Sequence, residues 1–209
     1  MIAALFVETS GCYFDLQGID PWDEPRDARL YRGPYAVVAH PPCQRWGRYW
    51  HGAPNNPNQY ALGDDGGCFA AALEHVRRYG GVLEHPAHSH AWRAFRLNAP
   101  PAGGGWVAAD FSGGWTCHVE QGHYGHISRK PTWLYAYGVE LPSLRWGPGE
   151  QRIHPRALEL HGYEKARRVG VMAMIGGKNK TRIRNATPLP FRNLLISIAA
   201  TAHNVRSAA

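Results

Sequence analysis

No apolar run in these 209 residues approaches the length of a membrane span, and Met1-Ile2-Ala3-Ala4 lacks the basic start of a secretory signal. A cytoplasmic protein with no membrane partner is expected. Cysteine is scarce: Cys12, Cys43, Cys68 and Cys117 are scattered, with no CxxC pair. That spacing argues against a disulfide scaffold and for free thiols in a reducing compartment. Zinc spacing is missing too. Histidines gather at His85, His88 and His90 and again at His118, His123 and His126, but only Cys117 adds a neighbouring thiol, so no metal site is expected. There is no internal repeat. Acids run short in the last part of the chain. From residue 151 onward eleven Lys and Arg face two acids, a net of +9, which leaves −2 for the first 150 residues of a chain carrying +7. A basic end on a near-neutral body points to a polyanion, most simply nucleic acid, although a solubilising face gives the same count. With 44% apolar residues the chain can build a real core, and one domain over 1–209 is expected.

What is present starts with Tyr35-Ala36-Val37-Val38-Ala39, an apolar run that stops at His40-Pro41-Pro42-Cys43-Gln44. It reads as a buried strand ended abruptly by two prolines. Their rings fix the backbone and hold the following side chain in a defined direction. Open α/β sheets place their ligands at strand carboxyl ends, and the group presented there is a thiol. Cys43 is therefore a candidate covalent nucleophile, although a lone cysteine is more commonly a small buried hydrophobe. The pattern recurs at Val82-Leu83, a short strand that delivers Glu84-His85-Pro86. If the two ends meet at one sheet edge, a carboxyl group lies near a thiol.

The remaining elements follow from periodicity. Ile2–Val7 reads as a first buried strand. Residues 18–34 read as irregular, with a short helix near Arg26–Tyr31. Residues 45–67, rich in Gly, Pro, Asn and aromatics, form a candidate active-site loop in which Arg45, Arg48 and the aromatics suit a base and its phosphate. Cys68–Tyr79 is a helix ended by Gly80-Gly81. Residues 98–115 are too rich in Gly and Pro to assign. Thr116–Gln121 and Thr132–Tyr137 read as strands, Ala157–Arg168 as a helix, Ile175–Thr187 as a basic loop and Pro190–Ala202 as a closing amphipathic helix.

The order of motifs resembles that of the cytosine-C5 DNA methyltransferases, in a shortened form like the cytosine-methylase-like proteins of bacteriophage genomes. Leu5-Phe6-Val7-Glu8-Thr9-Ser10-Gly11 is similar to a degenerate first cofactor motif. His40-Pro41-Pro42-Cys43-Gln44 resembles the catalytic Pro-Cys motif, and Leu83-Glu84-His85-Pro86 the Glu-Asn-Val/Pro motif with His85 in place of Asn. Tyr124-Gly125 through Arg129-Lys130 to Leu134-Tyr135 resembles the Gln-x-Arg-x-Arg motif. Asn185-Ala186-Thr187-Pro188 resembles the closing Gly-Asn-Ala-Val-Pro motif.

The resemblance implies a Rossmann-like α/β methyltransferase domain with an abbreviated cofactor half. The vestigial region 138–157 would be a minimal or absent target-recognition domain. It implies methyl transfer from S-adenosylmethionine to a cytosine flipped out of DNA, in the cytoplasm of a bacterial host if the chain is phage-encoded. Cys43 and Glu84, with Arg129 and Lys130, are the implied catalytic residues. Phe6, Ser10, Gly11, Asp20 (or Asp23), Asp27 and Asn185 are implied at the cofactor. Pro42, Gln44, Arg45, Tyr124 and Gly125, with Lys180, Arg182 and Arg184, are implied at the substrate. Little room remains for sequence specificity, which is then low or supplied by a separate subunit or another copy of the chain.

The chemistry explains these residue types. C5 of cytosine is a poor nucleophile, so a thiolate must first add at C6, and a carboxyl at N3 stabilises the adduct. A Glu84 pKa raised by burial is expected on this route. His40 and His85, next to the reactive residues, are candidates for tuning protonation. The rivals are the same covalent chemistry with a different donor, and a non-catalytic phage DNA-binding protein.

Overall fold

The computed structural model describes residues 1–52, 60–150, 152–169 and 183–203. Its centre is a seven-stranded mixed sheet in the order β2-β1-β3-β4-β7-β6-β5. Strands β1 (Ile2–Leu5), β2 (Ile19–Trp22), β3 (Ala36–Ala39) and β4 (Gly81–Pro86) run parallel. Strand β7 (Pro131–Tyr137) is antiparallel to β4, β6 (Trp115–Glu120) to β7, and β5 (Val107–Ala108) to β6. The protein is thus mixed α/β.

The parallel strands read as continuous apolar runs because both of their faces are buried. Ala3, Leu5, Val37, Ala39 and Leu83 face one layer with Phe69, Leu73 and Val76 of α1 (Cys68–Tyr79). Ile2, Ala4, Val38 and Val82 face the other, under Phe191, Leu195 and Ile198 of α5 (Leu189–Ala200). Helix α1 ends at Gly80, as its sequence predicts. The next residue, Gly81, has φ 133, and a Cβ there would collide with the Val37 carbonyl. Only glycine lets β4 start this close to β3.

Three expectations change in detail. The stretch expected to be irregular contains β2, whose Pro21 is tolerated because the strand lies at a sheet edge. The single helix expected over Ala157–Arg168 is two, α3 (Pro155–His161) and α4 (Tyr163–Val169), separated by Gly162 at φ 73. The short helix near Arg26 is a 3-10 turn over Ala28–Leu30. The basic loop lies largely outside the described residues. Among those described, no helix is long and apolar enough to cross a membrane.

From β1 the chain moves to β2 on one side and then to β3 on the other. The strand order therefore reverses between β1 and β3. Crevices outside the carboxyl ends at such a reversal are where open α/β sheets bind ligands.

Candidate active site at the carboxyl edge

Register brings the site together. Ala39 pairs with Leu83, so the next residues, His40 and Glu84, leave adjacent strands side by side on the α5 face. His40 Nδ1 lies 3.1 Å from Glu84 Oε2. Tyr13, buried in the loop after β1, places its hydroxyl 2.8 Å from His40 Nε2. Burial pushes the Tyr13 pKa well above its ordinary value, so the phenol keeps its proton. The His40 ring thus bridges the Tyr13 hydroxyl and the Glu84 carboxyl. On the other side Gln121 Nε2 donates to Glu84 Oε1 at 3.2 Å and to Thr132 Oγ1 at 3.0 Å. The Thr132 hydroxyl in turn donates to the Lys130 carbonyl at 2.9 Å. Glu84 is therefore gripped at both oxygens.

These partners correct the expected protonation state. Burial acts most strongly on Glu84 and raises its pKa, but the His40 hydrogen bond and the His40 and Lys130 charges together outweigh it. Its pKa lies below the ordinary carboxylate value, and Glu84 is ionised at neutral pH. Cys43 goes the other way. Burial and the Glu84 charge raise the thiol pKa, against smaller opposing effects from Arg184 and Lys130. The resting site therefore holds a neutral thiol near a carboxylate.

Of Arg129 and Lys130, Lys130 is the cation whose charge acts on Glu84 and Cys43. Desolvation lowers its pKa, while Glu84 and Cys43 pull it back up. Its Nζ donates to the carbonyls of Ala186 at 3.0 Å and Asn185 at 3.4 Å. Lys130 thus fastens the segment carrying Arg184 and Asn185 next to the site. Arg129 does not join it. Its side chain is exposed and reaches toward Glu120, with Nε 3.9 Å from Oε2.

The other substrate residues separate. Pro42 and Gln44 are exposed beside Cys43. Arg45 lies 3.3 Å over the Tyr60 ring centroid and donates to the Trp50 carbonyl, pinned within its own loop. Trp46 is core rather than a base platform: it is buried, and its Nε1 donates to Asp65 at 2.7 Å. Tyr124 and Gly125 serve the fold. The Tyr124 ring packs on Phe191, its oxygen accepts the Arg145 N–H, and Gly125 closes the turn at φ 94. Among the described residues of region 138–157, Leu144 is buried and the Gly149 N–H donates to Glu120. Lys180 and Arg182 lie outside the described residues.

Most of the residues implied at S-adenosylmethionine are spent on local partners. Asp20 Oδ1 accepts from Arg26 and Oδ2 from Trp22, so both oxygens are committed. Asp27 caps the 3-10 turn and grips Arg29 with both oxygens. Asp23 is buried and takes the Thr9 hydroxyl at 2.9 Å. Phe6 packs into the α1 core layer at φ 58, and Ser10 is exposed at φ 57. A Cβ on Gly11 would press on Glu8 of its own turn, so this glycine serves the turn. Asn185 is exposed and its side-chain oxygen accepts from Arg184. This set does not fit S-adenosylmethionine, and no step below is routed through it.

His85, expected to tune protonation, points to the opposite face of β4. It stacks on Trp92 and meets the edge of Phe69. Desolvation lowers its pKa to about 4, so it is a neutral core residue. No family model matches the chain, and no curated protein or solved structure matches it. Sequence reasoning missed Tyr13, Gln121 and Thr132. Tyr13 and Gln121 stand in no motif, Thr132 falls unnamed between Lys130 and Leu134, and only the sheet edge brings them to Glu84.

Proposed function

We propose that the chain modifies C5 of cytosine in DNA by the covalent route of the cytosine-C5 methyltransferases. Cys43 is the nucleophile and Glu84 the acid–base group. One observation carries the reading: adjacent strands β3 and β4 deliver a thiol and an ionised carboxylate to one edge, where the strand order reverses.

The resting protonation states suit that route. As Cys43 Sγ bonds to C6, its proton passes to the Glu84 carboxylate and on to N3 of the base. The π pair of the C5–C6 bond then makes C5 an enamine carbon that attacks an electrophile. The donor's leaving group departs with its bonding pair as C5 attacks; loss of the C5 proton to solvent, cleavage of the Sγ–C6 bond and return of the N3 proton through Glu84 then restore the aromatic ring and the thiol. Glu84 begins ionised and can accept the proton, while its lowered pKa and the raised thiol pKa make the transfer uphill until the Sγ–C6 bond forms. Tyr13, His40 and Gln121 hold it in one orientation. The target base must leave the DNA stack first, at a cost of a few kcal/mol.

Methyl is the group the resemblance implies. The second reading is the same adduct with a different donor, favoured by the commitment of Asp20 and Asp27 to local partners. The deciding experiment is mass spectrometry of nucleosides from DNA of cells expressing wild type or Cys43→Ala. A modified deoxycytidine seen only with wild type supports the proposal, and its added mass identifies the group. Unmodified DNA in both refutes it and leaves the binding-protein reading.

A further inference from the structure

A groove of about 380 Å³ opens on the α1 side of the sheet, the face opposite Glu84, lined by Ser89, Trp92, Arg93, Arg96, Asn98 and Trp133. That volume lies within the range of ligand clefts, about 300–1,000 Å³. Helix α2 (His90–Ala94) forms one wall, and its start is tied to the reactive edge. The His90 N–H donates to the Trp46 carbonyl at 2.9 Å, and the Ala87 N–H to the Pro131 carbonyl at 3.0 Å. The Phe95 ring packs 5.9 Å from Trp46, which stands three residues after Cys43. The Ser89 end of the groove therefore sits next to the helix start that is bonded to Trp46, three residues past the thiol.

Its floor is rigid and already satisfied. The Trp92 and Trp133 rings are buried 5.4 Å apart, and their N–H groups go to Thr116 and His118. The groups left to meet a ligand are cationic. Arg93 and Arg96 are exposed and make no ion pair with a carboxylate among the described residues. Between Glu84 and Asp110 the sequence contains no acid. Asp110 itself is spent on Arg77 at 2.7 Å and Tyr135 at 2.9 Å. Arg96 is held in a tight turn at φ 56, with the Leu97 N–H on the Trp92 carbonyl at 2.8 Å.

We propose that this groove is the track for the DNA backbone beside the flipped cytosine, with Arg93 and Arg96 each taking a phosphate. The assignment rests on the DNA-modification reading above. A polyanion complements an acid-free wall with two free guanidinium groups, and the helix that carries Arg93 starts at the hydrogen bond to the Cys43 turn, within reach of a strand passing over the sheet edge.

The test is binding of fluorescein-labelled 20-mers containing cytosine, duplex and single-stranded, between 50 and 200 mM salt. Wild type, Arg93→Ala/Arg96→Ala and the control Arg78→Ala are compared. Arg78 is exposed at the opposite edge of the sheet. Two lost phosphate contacts lower the slope of log K against log salt by about 1.8 on duplex or about 1.4 on single strand. Affinity at 50 mM then falls more than tenfold, and the control keeps the wild-type slope. A double-variant slope equal to wild type or the control overturns the groove, even if wild type modifies cytosine. A double variant with the reduced slope, in a protein that modifies no cytosine, keeps the groove and refutes the chemistry. No wild-type binding to either strand at 50 mM overturns both.

Discussion

Removing His40 is the sharpest probe of the edge, because one hydrogen bond separates two opposite pKa shifts for the same carboxyl group. In the wild type, burial pushes Glu84 up while His40, at 3.1 Å, does most to hold it down. A hydrogen bond to a charged group contributes about 1.5–3 kcal/mol. At 1.36 kcal/mol per unit, His40→Ala should raise the Glu84 pKa by about one to two units. The Gln121 donor and Lys130 remain, so the shift stays within that range. The sign for stability follows from linkage. A folded-state pKa below the unfolded value stabilises the fold above the unfolded pKa, and this stabilisation fades as pH falls through the folded one. The stability difference between wild type and His40→Ala should therefore be largest near neutrality. It should shrink as pH falls through the raised Glu84 pKa of His40→Ala and vanish below the wild-type one, where the carboxyl is protonated in both proteins. Carbon-detected NMR titration of labelled glutamate gives the pKa, and urea denaturation across pH gives the stability. A Glu84 pKa that stays put or falls in His40→Ala would show that His40 does not hold the carboxylate, and the account of the site would be wrong.

Three other outcomes are expected. Cys43→Ser should retain the wild-type melting temperature within a few degrees and form no cytosine product, because the half-buried side chain contributes little packing; residual product by nucleoside mass spectrometry would remove Cys43 from the reaction. Tyr13→Phe loses the 2.8 Å bond to His40 Nε2, which should cost about 1 kcal/mol in urea denaturation and slow turnover while DNA affinity stays constant. Gly81→Ala places a methyl against the Val37 carbonyl at φ 133, so a loss of about 3 kcal/mol or more is expected, and a urea midpoint equal to wild type would contradict the β3–β4 approach.

The sequence by itself determined the elements whose signal is local. The runs at Ile2 and Ala36 had to be buried on both faces. Helix α1 is bounded by its own apolar spacing and Gly80, and α5 carries its stripe of Phe191, Leu195 and Ile198. The prolines after His40 and His85 marked where β3 and β4 stop, and so marked Cys43 and Glu84. Strand β2 stayed hidden because Asp20 and Pro21 are poor strand residues, tolerated only at the sheet edge where tertiary structure put them. Protonation was equally out of reach. Burial alone predicts a raised Glu84 pKa, and only the pairing of Ala39 with Leu83, 44 residues apart in sequence, shows that His40 stands beside the carboxylate to lower it. The family resemblance implies ligand roles for Asp20, Asp27 and Tyr124. Each is instead consumed by a partner within the fold: Arg26 with Trp22, Arg29, and Phe191 with Arg145. A residue type shows what a side chain could bind, but its neighbours in space have first claim on its hydrogen bonds, and those neighbours are set by strand order and register.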